Sequence, residues 1–271
     1  MNKLVIALIV GMFGACVFAE VDPVLQELKD ANIILNVDKN YVLAQAAYEK
    51  IISDNATTNQ IYLIRAQTSI GLCLRRQDKI SEARTAYAKA IADYPNVPQV
   101  HKAQAAYLNA FAGGTYAERI QLARDAIAAY PNAGDTVLAG LQHGIGGAYW
   151  LSGDAANTII EMEKVKNYPK YNYTYGLFTA QDIIGDAYSR QRKFAEANAA
   201  WMLAVQNYVW TLNAKDESSP IWKTLDKISP KFSTAEAYKA FLETTIKATR
   251  ATEENAKFLG KLKSELGKLQ Q

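Results

Sequence analysis

Residues Ser69–Pro95 read "SIGLCLRRQDKISEARTAYAKAIADYP", and Asp182–Val209 read "DIIGDAYSRQRKFAEANAAWMLAVQNYV". In the first, Gly71 is followed by Leu74, Ala83, Tyr87 and Ala90 at +3, +12, +16 and +19. In the second, Gly185 is followed by Tyr188, Ala197, Trp201 and Ala204 at the same offsets. Residue type and spacing recur together, which marks an internal repeat. Ala83, Tyr87, Ala90 and Tyr94 stand at i, i+4, i+7 and i+11, the spacing of one helix face. Each unit therefore reads as a first helix ending near Gln77 or Gln191, a short polar turn and a second helix. Alanines on the second helix allow close approach, and Gly71 and Gly185 remove a side chain where the paired helix passes. Pro95 cannot continue the helix and ends it. "IQLARDAIAAYP", Ile120–Pro131, closes on Tyr-Pro in the same way.

Working outward, "NYVLAQAAYEKII" carries Ala44, Tyr48 and Ile51, and a first helix is predicted before it over Pro23–Asn36. The stretch from Gln99 gives Ala123, Ile127, Tyr130 and Pro131 without a first-helix glycine. "GIGGAYWLSGDAANTIIEMEKVKNYP" offers Gly147 and Trp150 as the first-helix pair but lacks the Ala-x3-aromatic pair. The tyrosines give periods of 39 (Tyr48 to Tyr87), 36 (Tyr94 to Tyr130), 38 (to Tyr168) and 40 (to Tyr208). The expected fold is all-α, about five helix pairs over residues 20–211. A helical cap is predicted over 212–271, where Ser233-x-x-Glu236 reads as a capping box. Tyr238, Phe241, Leu242 and Ile246 then take core spacing, and Leu259, Leu262, Leu266 and Leu269 form a short apolar seam that packs on the last repeat.

These residues resemble the tetratricopeptide repeat (TPR), whose pattern is carried by Ile70-Gly71-x2-Leu74, Ala83-x3-Tyr87 and Pro95, and again by Ile184-Gly185-x2-Tyr188 and Ala197-x3-Trp201. Gln67 and Gln181 stand where that family favours Trp. The resemblance implies a right-handed α-solenoid whose first helices line a concave groove for an extended peptide or a partner's helix. Carried onto this chain, the groove positions are Arg65, Thr68, Leu72, Arg75 and Arg76 in the clearest unit, and Thr179, Asp182, Asp186, Ser189 and Arg190 in the last. His101, Gln104 and Leu108 lie between. Arg65, Arg75 and Arg76 have the chemistry to grip a carboxylate or phosphate, or are ordinary solvated charges. Tyr-Pro endings combined with the N-terminal segment are similar to envelope TPR proteins, including lipoproteins that assist outer-membrane protein assembly.

That N-terminal segment, "MNKLVIALIVGMFGACVFAE", places Lys3 before an apolar run from Leu4 to Phe18. Val17-Phe18-Ala19 supplies small residues for a signal peptidase, so residues 1–19 read as a secretory signal cleaved after Ala19. Phe13-Gly14-Ala15-Cys16 also resembles a lipobox, so lipidation at Cys16 stands as the alternative. Either address is the envelope, as a periplasmic, secreted or membrane-anchored protein.

The 271 residues are 49% apolar and 21% charged, a composition that supports a packed core. A net charge of +3 argues against nucleic acid as partner. From Trp222 onward ten Lys and Arg face six Asp and Glu, a mildly basic tail. Only Cys73 remains after Ala19, which excludes an internal disulfide and reads as a small buried thiol. His101 and His143 have no second ligand at metal spacing and read as satisfied or solvent-facing. Glu161, Glu163, Asp182 and Asp186 read as surface carboxylates. No phosphate loop or nucleophile setting is present, so neither an enzyme nor a cofactor is expected. The expected role is a protein-binding scaffold or adaptor of the envelope. A glycan- or peptidoglycan-associated binding protein is the alternative, with Tyr171, Tyr173 and Tyr175 as its aromatic platform.

Overall fold

A computed structural model describes residues 22–168, 175–208 and 219–270. Residues 1–19, with Cys16, and Tyr171 and Tyr173 lie outside the described residues; Tyr175 opens a helix, but its side chain lies outside them too. The chain is all-α. Its helices are α1 (Pro23–Asn36), α2 (Tyr41–Asp54), α3 (Gln60–Arg76), α4 (Ile80–Asp93), α5 (Gln99–Ala110), α6 (Tyr116–Ala129), α7 (Asp135–Ser152), α8 (Ala155–Glu163), α9 (Tyr175–Arg190), α10 (Phe194–Tyr208), α11 (Pro220–Lys227), α12 (Ala235–Ala248) and α13 (Ala256–Lys268). Five successive pairs, α1/α2 to α9/α10, match the expected repeat, and α1 has the bounds read from sequence. The described residues divide into two compact units, one up to Ala86 and one from Tyr87 onward.

The backbone itself fixes the register. Lys39, Asp78, Gly153 and Arg192 have φ of 55°, 62°, 87° and 59°, in the left-handed region. Each stands seven residues after Asn32, Gly71, Gly146 and Gly185 respectively, so the units are offset by 39, 75 and 39. That one left-handed residue closes the first helix: Lys79, Asp154 and Lys193 N–H donate to the carbonyls of Leu74, Tyr149 and Tyr188 at 3.0 Å. The same three residues then offer carbonyls to Ala83, Thr158 and Ala197 at 2.9, 3.0 and 2.9 Å, which starts the second helix.

This register corrects one sequence expectation. Gly146, not Gly147, is the packing glycine of α7. A methyl on Gly146 would lie 2.8 Å from Cγ of Met162, sixteen residues on, whereas a methyl on Gly147 meets nothing within 4 Å. At Gly185 a methyl would run into the indole of Trp201, again sixteen residues on. Thr158 and Met162 take the places of Ala197 and Trp201, and both are fully buried. The "GIGG" run offers adjacent glycines, and without an alanine–aromatic pair on α8 nothing in the pattern chose between them.

In the first unit, Leu28, Ala31, Leu35, Ala44, Tyr48, Ile51, Ala66 and Cys73 form the interior. The Tyr48 hydroxyl donates to Oδ1 of Asn32 at 3.0 Å, which seats an asparagine in the glycine position of the first pair. Burial pushes the Cys73 thiol up to about 11, the inert thiol expected. Gln67 is buried and its Nε2 donates to the Ala86 carbonyl at 3.4 Å. In the second unit Gln142 repeats that contact, donating to the Glu161 carbonyl at 3.0 Å, again nineteen residues on.

Glu161 is a second correction, because it is buried at 4% exposure and not on the surface. Its carboxylate accepts from Arg124 Nη2 at 2.9 Å, Lys164 Nζ at 2.9 Å and Gln142 Nε2 at 2.7 Å, tying α6, α7 and α8 together. Burial pushes its pKa up, but those three donors outweigh it and hold the carboxyl below its ordinary value. The C-terminal helices share one core with the last pair: Phe178, Ala204 and Val205 pack with Ile221, Trp222, Leu225, Phe241, Leu242, Phe258 and Leu262. The start of α12 differs by one residue from expectation. Thr234 is its N-cap, accepting from Ala237 N–H at 3.1 Å, while Ser233 Oγ accepts from Asn198 Nδ2 at 2.6 Å.

Candidate functional site

In the first unit, α3 presents Arg65, Thr68, Leu72, Arg75 and Arg76 along one face, as its 3.6-residue period requires. Arg65 and Arg76 are exposed, and Thr68, Leu72 and Arg75 are half-buried. Thr68 Oγ1 returns to the Ile64 carbonyl at 2.7 Å, so its methyl is what the face offers. None of the three arginines has an ion pair among the described residues. Leu72 and Arg76 border a shallow depression of about 230 Å3 with Leu35, Asn36, Lys39 and Tyr41.

In the second unit, α5 places His101 half-buried and Gln104 exposed. Gln104 borders a depression of about 280 Å3 between α5 and α7, lined also by Tyr107, Thr136, Val137 and Gly140. Gly140 keeps that space open: a methyl there would sit 3.6 Å from the Tyr107 ring, an ordinary contact. Sequence reading missed Tyr107, Thr136, Val137 and Gly140. The signal was available, since Gly140, His143, Gly147, Trp150 and Leu151 stand 75 residues after Arg65, Thr68, Leu72, Arg75 and Arg76. The one-residue slip at Gly147 concealed it.

His143 departs from expectation: it is half-buried, and its Nε2 is buried without a hydrogen-bond partner. Burial pushes its pKa below the ordinary 6.5 and keeps the ring neutral. Asp182, Asp186 and Arg190, three of the residues expected on α9, are engaged within the chain. Lys227 of α11 reaches Oδ1 of both Asp182 and Asp186 at 2.8 Å. Thr224 donates to Asp182 at 2.8 Å, and Trp201 Nε1 donates to Asp186 at 3.1 Å. Burial works against the Lys227 charge, but the two carboxylates outweigh it and hold its pKa above the ordinary value. The Arg190 guanidinium lies 3.2 Å from the Trp150 ring centroid and donates to the Trp150 carbonyl at 3.2 Å. Two aspartates and one arginine of the expected groove thus hold α7, α9 and α11 in place.

Among the described residues no group of three or more His, Cys, Asp or Glu is placed to hold a metal ion. No helix among them is long and apolar enough to cross a membrane.

Paired helices in a repeating register define a helical-repeat protein of TPR-like fold. Two solved structures of Podosopora anserina kinesin light chain TPR-like repeats are similar to this chain. The first, a point-substituted form, has a TM-score of 0.53 at 14% identity and covers 69% of this chain and 95% of its own. The second has a TM-score of 0.53 at 14% identity, covering 70% and 97%. No protein-family model and no curated protein matches the chain.

Proposed function

We propose that the chain is a non-catalytic binding scaffold of the cell envelope, holding a segment of a partner protein against its first helices. The depression between α5 and α7 carries this reading. It lies on the first-helix face, and Gly140 leaves about 280 Å3 beside Tyr107 for a partner's side chain. Apolar walls from Tyr107 and Val137 with polar groups from Gln104 and Thr136 suit a peptide side chain held by both burial and hydrogen bonding. The envelope address rests on the sequence of residues 1–19, with a soluble product cleaved after Ala19 or a lipid on Cys16 as its two forms.

Cross-linked capture from an extract of the source cells tests the binding. Wild type, Gly140→Trp and the triple variant Arg65→Glu, Arg75→Glu, Arg76→Glu run side by side. The expected result is a discrete protein enriched by wild type and lost from Gly140→Trp, with the triple variant reporting whether the arginines contribute. Equal recovery by wild type and Gly140→Trp refutes the depression as the binding site. N-terminal sequencing of the cellular protein tests the address: Glu20 or a lipidated Cys16 supports it, and a retained Met1 contradicts it.

A further inference from the structure

The repeat register shows where the first helices α3, α7 and α9 receive the second helix that precedes them. Three positions on each do so, and in these helices all three are buried. They are Ala66, Ile70 and Cys73 in α3, at 0%, 6% and 0% exposure. In α7 they are Leu141, Ile145 and Ala148, at 0%, 1% and 4%. In α9 they are Ala180, Ile184 and Ala187, at 0%, 1% and 0%. The covering residues come from the preceding second helix: Tyr48 of α2 lies beside Ser69 and Cys73. Ala123 and Ala126 of α6 pack with Leu141 and Ile145, and Met162 of α8 packs with Ala180 and Ile184.

In α1 the same three positions are Glu27, Ala31 and Ile34. Here Ala31 is buried as its counterparts are, but Glu27 is exposed and Ile34 half-exposed, and no second helix precedes them among the described residues. With Asp30, Ala47 and Ile51 they border an open furrow of about 270 Å3. The other end of the chain is built differently: α13 exposes Lys257, Gly260, Lys263, Ser264 and Lys268, a polar finish suited to water. The charges of the furrow are also particular. Glu27 stands where later pairs have Ala66, Leu141 and Ala180, and Asp30 stands where α3 has Ser69. Glu27 accepts from Asn55 at 3.3 Å and Asp30 from Gln26 at 2.9 Å, while the cation bordering the furrow, Lys50, is tied to Asp54. Two carboxylates on a seam that otherwise buries apolar residues disfavour an all-apolar helix and complement a cationic one.

We infer that this furrow is a docking site for an amphipathic basic helix of a partner protein. That helix presents a large apolar or aromatic residue to Ile34 and Ala47, over the buried Ala31 and Ile51, and Lys or Arg to Glu27 and Asp30. The inference stands apart from the groove reading and uses different residues.

The test uses two amidated 18-residue peptides with the same Leu and Tyr stripe at helical spacing, one with Lys at the remaining positions and one with Glu. Each is fluorescently labelled and titrated by anisotropy with the chain from Glu20 onward, at low salt. The Lys peptide is expected to bind at least tenfold tighter than the Glu peptide. The double variant Glu27→Lys, Asp30→Lys, altered only at exposed positions, is expected to reverse that order. Ala47→Trp, which fills the furrow, is expected to abolish binding of both, and Gly140→Trp to leave both unchanged. Equal affinity of the two peptides, or no reversal in the double variant, overturns the inference. A concentration-dependent dimer in sedimentation that Ala47→Trp abolishes assigns the furrow to a second copy instead. Binding by the chain from Glu20 but not by the chain from Met1 assigns it to residues 1–19. Either outcome also overturns the inference.

Discussion

Adding one methyl group to each of three glycines separates the register found here from its one-residue alternative. At Gly185 the methyl enters the Trp201 indole, a rigid group whose Nε1 is held by Asp186 at 3.1 Å. Overpacking of this kind costs about 1–3 kcal/mol, and displacing the indole strains a hydrogen bond of about 1 kcal/mol. Replacing a helical glycine by alanine returns about 0.5–1 kcal/mol of backbone entropy. The balance for Gly185→Ala is a loss of about 1–3 kcal/mol. At Gly147 the methyl meets nothing, so Gly147→Ala gains up to about 1 kcal/mol. Gly146→Ala falls between, because the Met162 thioether is flexible enough to shift. Urea unfolding followed by circular dichroism at 222 nm, with tryptophan fluorescence as a second probe, reads all three. Loss of stability in Gly147→Ala equal to that in Gly185→Ala, or neutrality of Gly185→Ala, would refute the register.

Other perturbations carry signs of their own. Arg192→Gly and Asp78→Gly relieve a left-handed residue and should each add up to about 1 kcal/mol in the same unfolding assay, while Gly153→Ala should lose about 1 kcal/mol. Glu161→Leu removes the carboxylate that Arg124, Lys164 and Gln142 share; Gln142 keeps its bond to the residue-161 carbonyl and the half-exposed Arg124 and Lys164 rehydrate, so a loss of about 1–2 kcal/mol is expected, and a neutral result contradicts the tie between α6, α7 and α8. His143 has a folded pKa below its unfolded value of about 6.5. Its contribution to stability is therefore complete above pH 6.5 and is lost as pH falls from there through the folded pKa, with a slope of at most about 1.4 kcal/mol per pH unit. His143→Gln should flatten the fall of Tm between pH 7 and 5, and an unchanged profile would exclude His143 as its source.

The repeat was legible because its signal is physical and local. Ala83, Tyr87 and Ala90 and their counterparts Ala197, Trp201 and Ala204 are buried to 0–8%, and burial on one helix face writes itself into spacing. Tyr-Pro also worked as punctuation: α4 and α6 end at Asp93 and Ala129, one residue before Tyr94 and Tyr130. Three features were not legible. Adjacent glycines at 146 and 147 satisfy the same pattern, and only the Met162 contact distinguishes them. Glu161 looks like any helix-surface carboxylate until Arg124, 37 residues away, is brought to it. The engagement of Asp182 and Asp186 by Lys227 depends on α11, which lies more than 40 residues further along the chain and outside the repeat pattern. Local periodicity reports which face is buried, and it is silent on which distant side chain meets an exposed one.

Whether the first-helix face binds a partner is answered most directly by photocross-linking in the source cells. A p-benzoylphenylalanine is placed at Gln104, on the border of the α5/α7 depression, and separately at Gln121, exposed on the second helix α6. One discrete protein adduct from position 104, absent from 121 and lost when Gly140→Trp is added, is the expected result. Identical adducts from both positions, or an adduct at 104 that survives Gly140→Trp, would contradict a partner held in that depression.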